Sequence, residues 1–118
     1  MFMLASSWHR PKFYLFSQKL VTITKAISEG RNIWIYGNGN GKTSLINRPL
    51  IKRLMEHKDY VRRINYDPIA AIRRFDEDME WYSSVLVESI YPPPEDARHL
   101  FFVLEFLGQF NPVTQRYE

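Results

Sequence analysis

The residues best suited to chemistry stand together in Gly37-Asn38-Gly39-Asn40-Gly41-Lys42-Thr43-Ser44, directly after the apolar run Ile33-Trp34-Ile35-Tyr36. Glycines let successive backbone N–H groups turn inward around an anion, which most side chains would obstruct. Gly-Lys-Thr opens what reads as a helix, whose N-terminus adds the positive end of its dipole. In that setting Lys42 would add a positive charge beside the anion, and the Thr43 hydroxyl is a hard oxygen of the kind Mg²⁺ accepts. A second candidate is Glu88, an acidic residue delivered by the apolar run Val85-Leu86-Val87. Each has a plainer reading. The glycines could form only a flexible turn, and Glu88 could be a polar residue at the exposed end of a buried strand.

The glycine-rich half, with Gly-Lys-Thr-Ser, resembles the phosphate-binding loop of the P-loop NTPase superfamily. The family pattern places its first glycine where this chain has Tyr36, so the loop reads G-x-x-x-G-K-T. Either Tyr36 fills that slot with Gly37 supplying the freedom, or the loop is one residue short and its cradle tighter. Val85 to Glu88 resembles the family's Walker B strand, which brings a carboxylate to the Mg²⁺ shell. Only one carboxylate stands there. If Glu88 holds a metal-bound water, Ser89 leaves nothing adjacent to polarise the attacking water. If Glu88 is the base, Val87 has replaced the metal partner.

The resemblance implies an α/β fold, a three-layer parallel sheet flanked by helices, in a minimal or incomplete version. It implies ATP and Mg²⁺ as ligands, with Gly37, Asn38, Gly39, Asn40, Gly41, Lys42, Thr43 and Ser44 around the phosphates. Thr43 and Glu88 would hold the metal, and Lys42 and Glu88 would be catalytic. The order of elements looks most like ATP-driven nucleic-acid motors, such as viral replication helicases or DNA-packaging ATPases. Nucleic acid, a homo-oligomeric assembly and a cytoplasmic or nuclear setting follow as expectations, with Arg98 and Arg116 as candidates for an arginine finger. ATP is preferred because the chain lacks the Asn-Lys-x-Asp motif of guanine readers. Two other readings are a nucleoside or nucleotide kinase, with Arg73-Arg74 as remnant of an arginine-rich lid, and a nucleotide-binding module without turnover. Lys42 is expected to be exposed, so that its loss leaves the fold intact.

The rest of the chain has to position those groups. Its 118 residues, 45% hydrophobic, suffice for one domain with a core. Cysteine is absent, which excludes disulfides, thiolate metal sites and a cysteine nucleophile. His9, His57 and His99 have no ligand-like spacing, and a net charge of +3 permits nucleic-acid contact without arguing for it. No stretch is long enough for a membrane span.

Phe13, Phe16, Leu20, Ile23 and Ile27 recur at helical spacing and predict a helix ending near Gly30. Asn32–Tyr36 carries no charge and suits a central parallel strand. A helix from Lys42 should break or bend at Pro49 and resume to about His57. Tyr60 to Tyr66 predicts a strand stopped by Asp67-Pro68, a turn pair. Ile69 to Met79 predicts a helix whose Asp76, Glu77 and Asp78 form a solvated face, because adjacent helical carboxylates diverge. Trp81 to Tyr91 predicts a third strand, and Pro94-Glu95-Asp96 starts a last apolar helix over His99 to Phe110. Arg48, Lys52, Arg53, Lys58, Arg62 and Arg63 read as a solvated basic face.

Overall fold

The computed structural model describes residues 11–37, 42–106, 110–111, 113 and 116–117; Asn38, Gly39, Asn40 and Gly41 lie outside the described residues. Helix α1, Pro11–Ser28, turns Ile23, Ala26 and Ile27 inward at the predicted spacing, and all three are buried. It ends where the sequence permits a left-handed residue. Gly30 has φ +72°, its N–H donates to Ile27 O at 3.0 Å, and Arg31 N–H donates to Ala26 O at 3.1 Å. These are the two bonds of a Schellman C-cap, and they redirect the chain into the sheet.

Strand β1, Ile33–Tyr36, lies inside a four-stranded parallel sheet of order β2-β3-β1-β4, with β2 Tyr60–Ile64, β3 Ser84–Ser89 and β4 Phe102–Glu105. Ile33, Trp34 and Ile35 are fully buried because helical layers cover both sides of the strand. Alternation sends Ile33, Ile35 and Leu86 to one face, where α1 packs with the pair α2, Lys42–Ile46, and α3, Pro49–Lys58. Trp34, Val85 and Val87 go to the other face, against Ala71 and Phe75 of α4, Pro68–Asp78. Asn32 ties three strands together at their start. Its Oδ1 accepts from Val85 N at 3.1 Å and its carbonyl accepts from Phe102 N at 2.7 Å.

The expected break falls between α2 and α3, with Pro49 opening the second helix as a first-turn proline. Asp67 caps α4, its Oδ1 accepting from Ile69 N at 3.0 Å, so the Asp-Pro pair is a helix start. Trp81, Tyr82 and Ser83 precede β3, which is shorter than its apolar run.

The last helix is a correction. Glu95–Leu100 forms a 3₁₀ segment and Phe102–Glu105 is strand β4, paired in parallel with β1. Leu100, Phe101, Val103, Leu104 and Phe106 are apolar at a density that fits helix and buried strand alike, and pairing with β1 decides for strand. Phe101, just before β4, packs edge-on to Trp34 at 5.3 Å between ring centres. Phe110–Asn111 and Arg116–Tyr117 form a short antiparallel pair.

β4 also fixes the start of the glycine-rich turn. Phe106 N–H donates to Tyr36 O at 2.6 Å, and Gly37 follows with φ +139°. A Cβ on Gly37 would stand 1.8 Å from the Phe106 carbonyl oxygen. Gly37→Ala therefore meets both a forbidden backbone region and a backbone clash, and should cost upwards of about 3 kcal/mol. Gly30→Ala, where a Cβ meets nothing within 4 Å, should cost only ~1–2 kcal/mol. Urea unfolding of both variants checks this; equal losses would contradict the close approach.

Candidate functional site

The two layers part at the carboxyl edge of the sheet. The chain leaving β1 enters α2 and α3 on one face, whereas the chain leaving β3 turns to the other, where Trp34 Nε1 donates to Tyr91 O at 2.9 Å. Neighbouring parallel strands whose exits diverge leave a crevice at their carboxyl ends, where open α/β sheets bind ligands. Here the crevice is a cavity of about 240 Å³ lined by Lys42, Thr43, Ile64, Tyr66, Glu88, Ser89 and Ile90. The fold thus brings Lys42 and Thr43 of the glycine-rich motif to Glu88, although 45 positions separate Thr43 from Glu88.

Glu88 is opposite Ile35 on one side and Ile64 on the other. It shares strand parity with Leu86, so its side chain goes to the α2 face, and only 6% of the residue is exposed. Its two oxygens have different partners. Thr43 Oγ1 donates to Oε2 at 2.6 Å. Arg62 donates to Oε1 from Nη2 at 2.6 Å and from Nε at 3.2 Å, while its Nη1 donates to Asn47 Oδ1 at 3.2 Å. A carboxylate this deeply placed needs such charge-assisted bonds, since unpaired burial of the ion is prohibitive.

Lys42 departs from its expected exposure: the residue is 8% exposed, and Nζ donates to the Gly37 carbonyl across the base of the turn. Burial pushes its ammonium pKa down, and the negative charge of Glu88 raises it part of the way back. An anion in the cavity would favour the charged form further. Thr43 and Ser44 are exposed, but only Thr43 lines the cavity. Tyr36 packs with the Trp34 cluster, behind the turn. Of the arginine-finger candidates, Arg98 is exposed on the 3₁₀ segment, and the side chain of Arg116 lies outside the described residues. Arg73 and Arg74 are exposed on α4 and do not line the cavity.

Arg62 and Asn47 are the site residues that motif reasoning misses. Strand periodicity held the signal: in β2, consecutive Arg62 and Arg63 must face opposite layers, and each guanidinium then needs its own partner. Arg62 finds Glu88. Arg63 finds Asp78, with Nη2 to Oδ1 at 2.7 Å and Nε to Oδ2 at 2.8 Å. Two expectations are corrected by this. Asp78 is 4% exposed and does not belong to a solvated acidic face, and Arg62 and Arg63 do not belong to a solvated basic one.

No family model, characterised protein or solved structure matches the chain. The site is therefore argued from its own geometry. Among the described residues no three histidine, cysteine, aspartate or glutamate side chains converge as a metal cage, and no helix is long and apolar enough to cross a membrane.

The Arg63–Asp78 pair generates a pH prediction. The Arg63 hydrogen bonds hold the Asp78 carboxyl below its ordinary value of 3.8. A depressed folded-state pKa gives stability that is complete above the unfolded value and lost as pH falls through the folded one. Asp78→Asn should cost about 1–3 kcal/mol at pH 6 and flatten the decline in stability below pH ~4. Urea midpoints at pH 6 and pH 3 measure both. An unchanged acid limb in the variant would contradict the assignment.

Proposed function

We propose that the chain binds a nucleoside triphosphate with Mg²⁺ in the cavity at the carboxyl ends of β1 and β3, with ATP preferred, and turns it over as an ATPase. The observation that carries this reading is the meeting of Thr43 Oγ1 and Glu88 Oε2 at 2.6 Å beside buried Lys42. Three groups of the types a polyphosphate and its metal need converge there from two distant segments. Lys42 and Arg62 against Glu88 leave one surplus positive charge at the crevice, which suits a polyanion.

The donor set fits Mg²⁺. A hydroxyl and one carboxylate are hard oxygen ligands, and Mg²⁺ commonly takes one or two carboxylates, with phosphates and water completing its shell. Thr43 and Glu88 would hold the ion, which would supply positive charge against the phosphates. Lys42 would screen the phosphate charge beside it.

A second reading, nucleotide binding without turnover, is favoured by one specific observation. Both Glu88 oxygens are engaged, the next side chain, Ser89, accepts from Tyr91 N at 3.1 Å, and neither leaves a carboxylate to polarise water. The narrower proposal of a nucleic-acid motor is supported by exposed Arg48, Lys52, Arg53 and Lys58 on and beside α3, a sequence-independent footing for phosphates.

Titration with a fluorescent ATP analogue, with and without Mg²⁺, followed by phosphate release, tests these together. Lys42→Met keeps the buried stem and removes the charge. It should weaken Mg²⁺·ATP binding by about 10- to 100-fold, the value of a charged hydrogen bond. Equal affinity in the variant would overturn the phosphate site. Binding without phosphate release would select the second reading.

A further inference from the structure

We infer that Arg62 is a positioning residue that makes metal binding at Glu88 conditional on a polyphosphate; the inference rests on the nucleotide reading above. Arg62 reaches Glu88 from behind. Thr43 and Glu88 line the 240 Å³ cavity and Arg62 does not. Arg62 instead borders a separate hollow of about 260 Å³ with Asn47, Lys52 and Tyr60. Its guanidinium takes Oε1 through two donors and is itself held by Asn47. The carboxylate plane is thereby fixed with Oε1 toward Arg62 and Oε2 toward Thr43, the partner that lines the cavity with Glu88.

The same contact sets the charge balance. A divalent cation arriving alone meets one carboxylate against the two cations Lys42 and Arg62, and the carboxylate is already neutralised by a bonded guanidinium. A triphosphate reverses that balance, because its several negative charges outweigh both cations. The metal therefore enters with the nucleotide rather than before it. Orientation and charge are separable in Arg62, since lysine retains the charge but cannot reproduce the planar fork.

Mn²⁺ serves as the probe because it accepts the same hard oxygen shell and is read directly by electron paramagnetic resonance. The full chain, R62Q and R62K are titrated with Mn²⁺ alone and with Mn²⁺ plus ATP or tripolyphosphate, after circular dichroism confirms folding. Wild type should take up Mn²⁺ only with a polyphosphate. R62Q should bind Mn²⁺ alone at least tenfold more tightly than wild type. R62K should exclude free Mn²⁺ as wild type does, yet lose severalfold in affinity for Mn²⁺·ATP. Equal free-Mn²⁺ affinity in wild type and R62Q, with ATP binding intact, overturns the role of Arg62. Should R62Q not fold, undiminished Mn²⁺·ATP affinity in R62K overturns it. A wild-type chain that takes neither ATP nor tripolyphosphate overturns the nucleotide reading instead.

Discussion

A carboxylate withdrawn from water at the end of a central strand must be neutralised, and the carboxyl edge of this sheet is arranged around that requirement. Glu88 reaches its depth because β3 is flanked by β1 and β2 and covered on both faces. From there it gathers a hydroxyl from the first turn of α2 and a guanidinium from β2, so one helix and two strands meet at one side chain. Taking one partner away from a buried ion pair commonly costs about 3–5 kcal/mol, so the fold has little freedom to relax this contact. What stabilises the edge and what would serve a ligand there are the same atoms.

The turn between β1 and α2 is held at both described ends. On one side Phe106 closes on Tyr36 and Gly37, leaving no room for a side chain at 37. On the other, Lys42 reaches back to the Gly37 carbonyl. Gly37 is thus required by the approach of the chain after β4. Tyr36 beside it packs against the Trp34 cluster on the other side of the sheet.

Much of the architecture was legible because it is written locally. The spacing of Ile23 and Ile27 with Gly30 after them specifies α1 and its cap. The uncharged Ile33–Tyr36 run marks a central parallel strand, Pro49 marks a helix start, and Val85 to Glu88 marks a buried strand. Lys42, Thr43 and Glu88 could be singled out by residue type, and the fold brings the three together at one cavity. The failures share a cause in long-range partnership. Phe102–Glu105 is a strand because β1 offers it hydrogen bonds, which no window of sequence contains. The burial of Lys42 goes with its contact to the Gly37 carbonyl, and the tasks of Arg62 and Arg63 depend on which carboxylate faces each side of β2.

The most direct measurement of the central claim is a map of backbone amide shifts, by ¹⁵N nuclear magnetic resonance, as tripolyphosphate is added with and without Mg²⁺. The account predicts that the largest changes fall on the amides of residues 37–44, and that Mg²⁺ extends them to Glu88 and Ser89. Changes confined to the basic exterior of α3, or an unaltered spectrum, would contradict it.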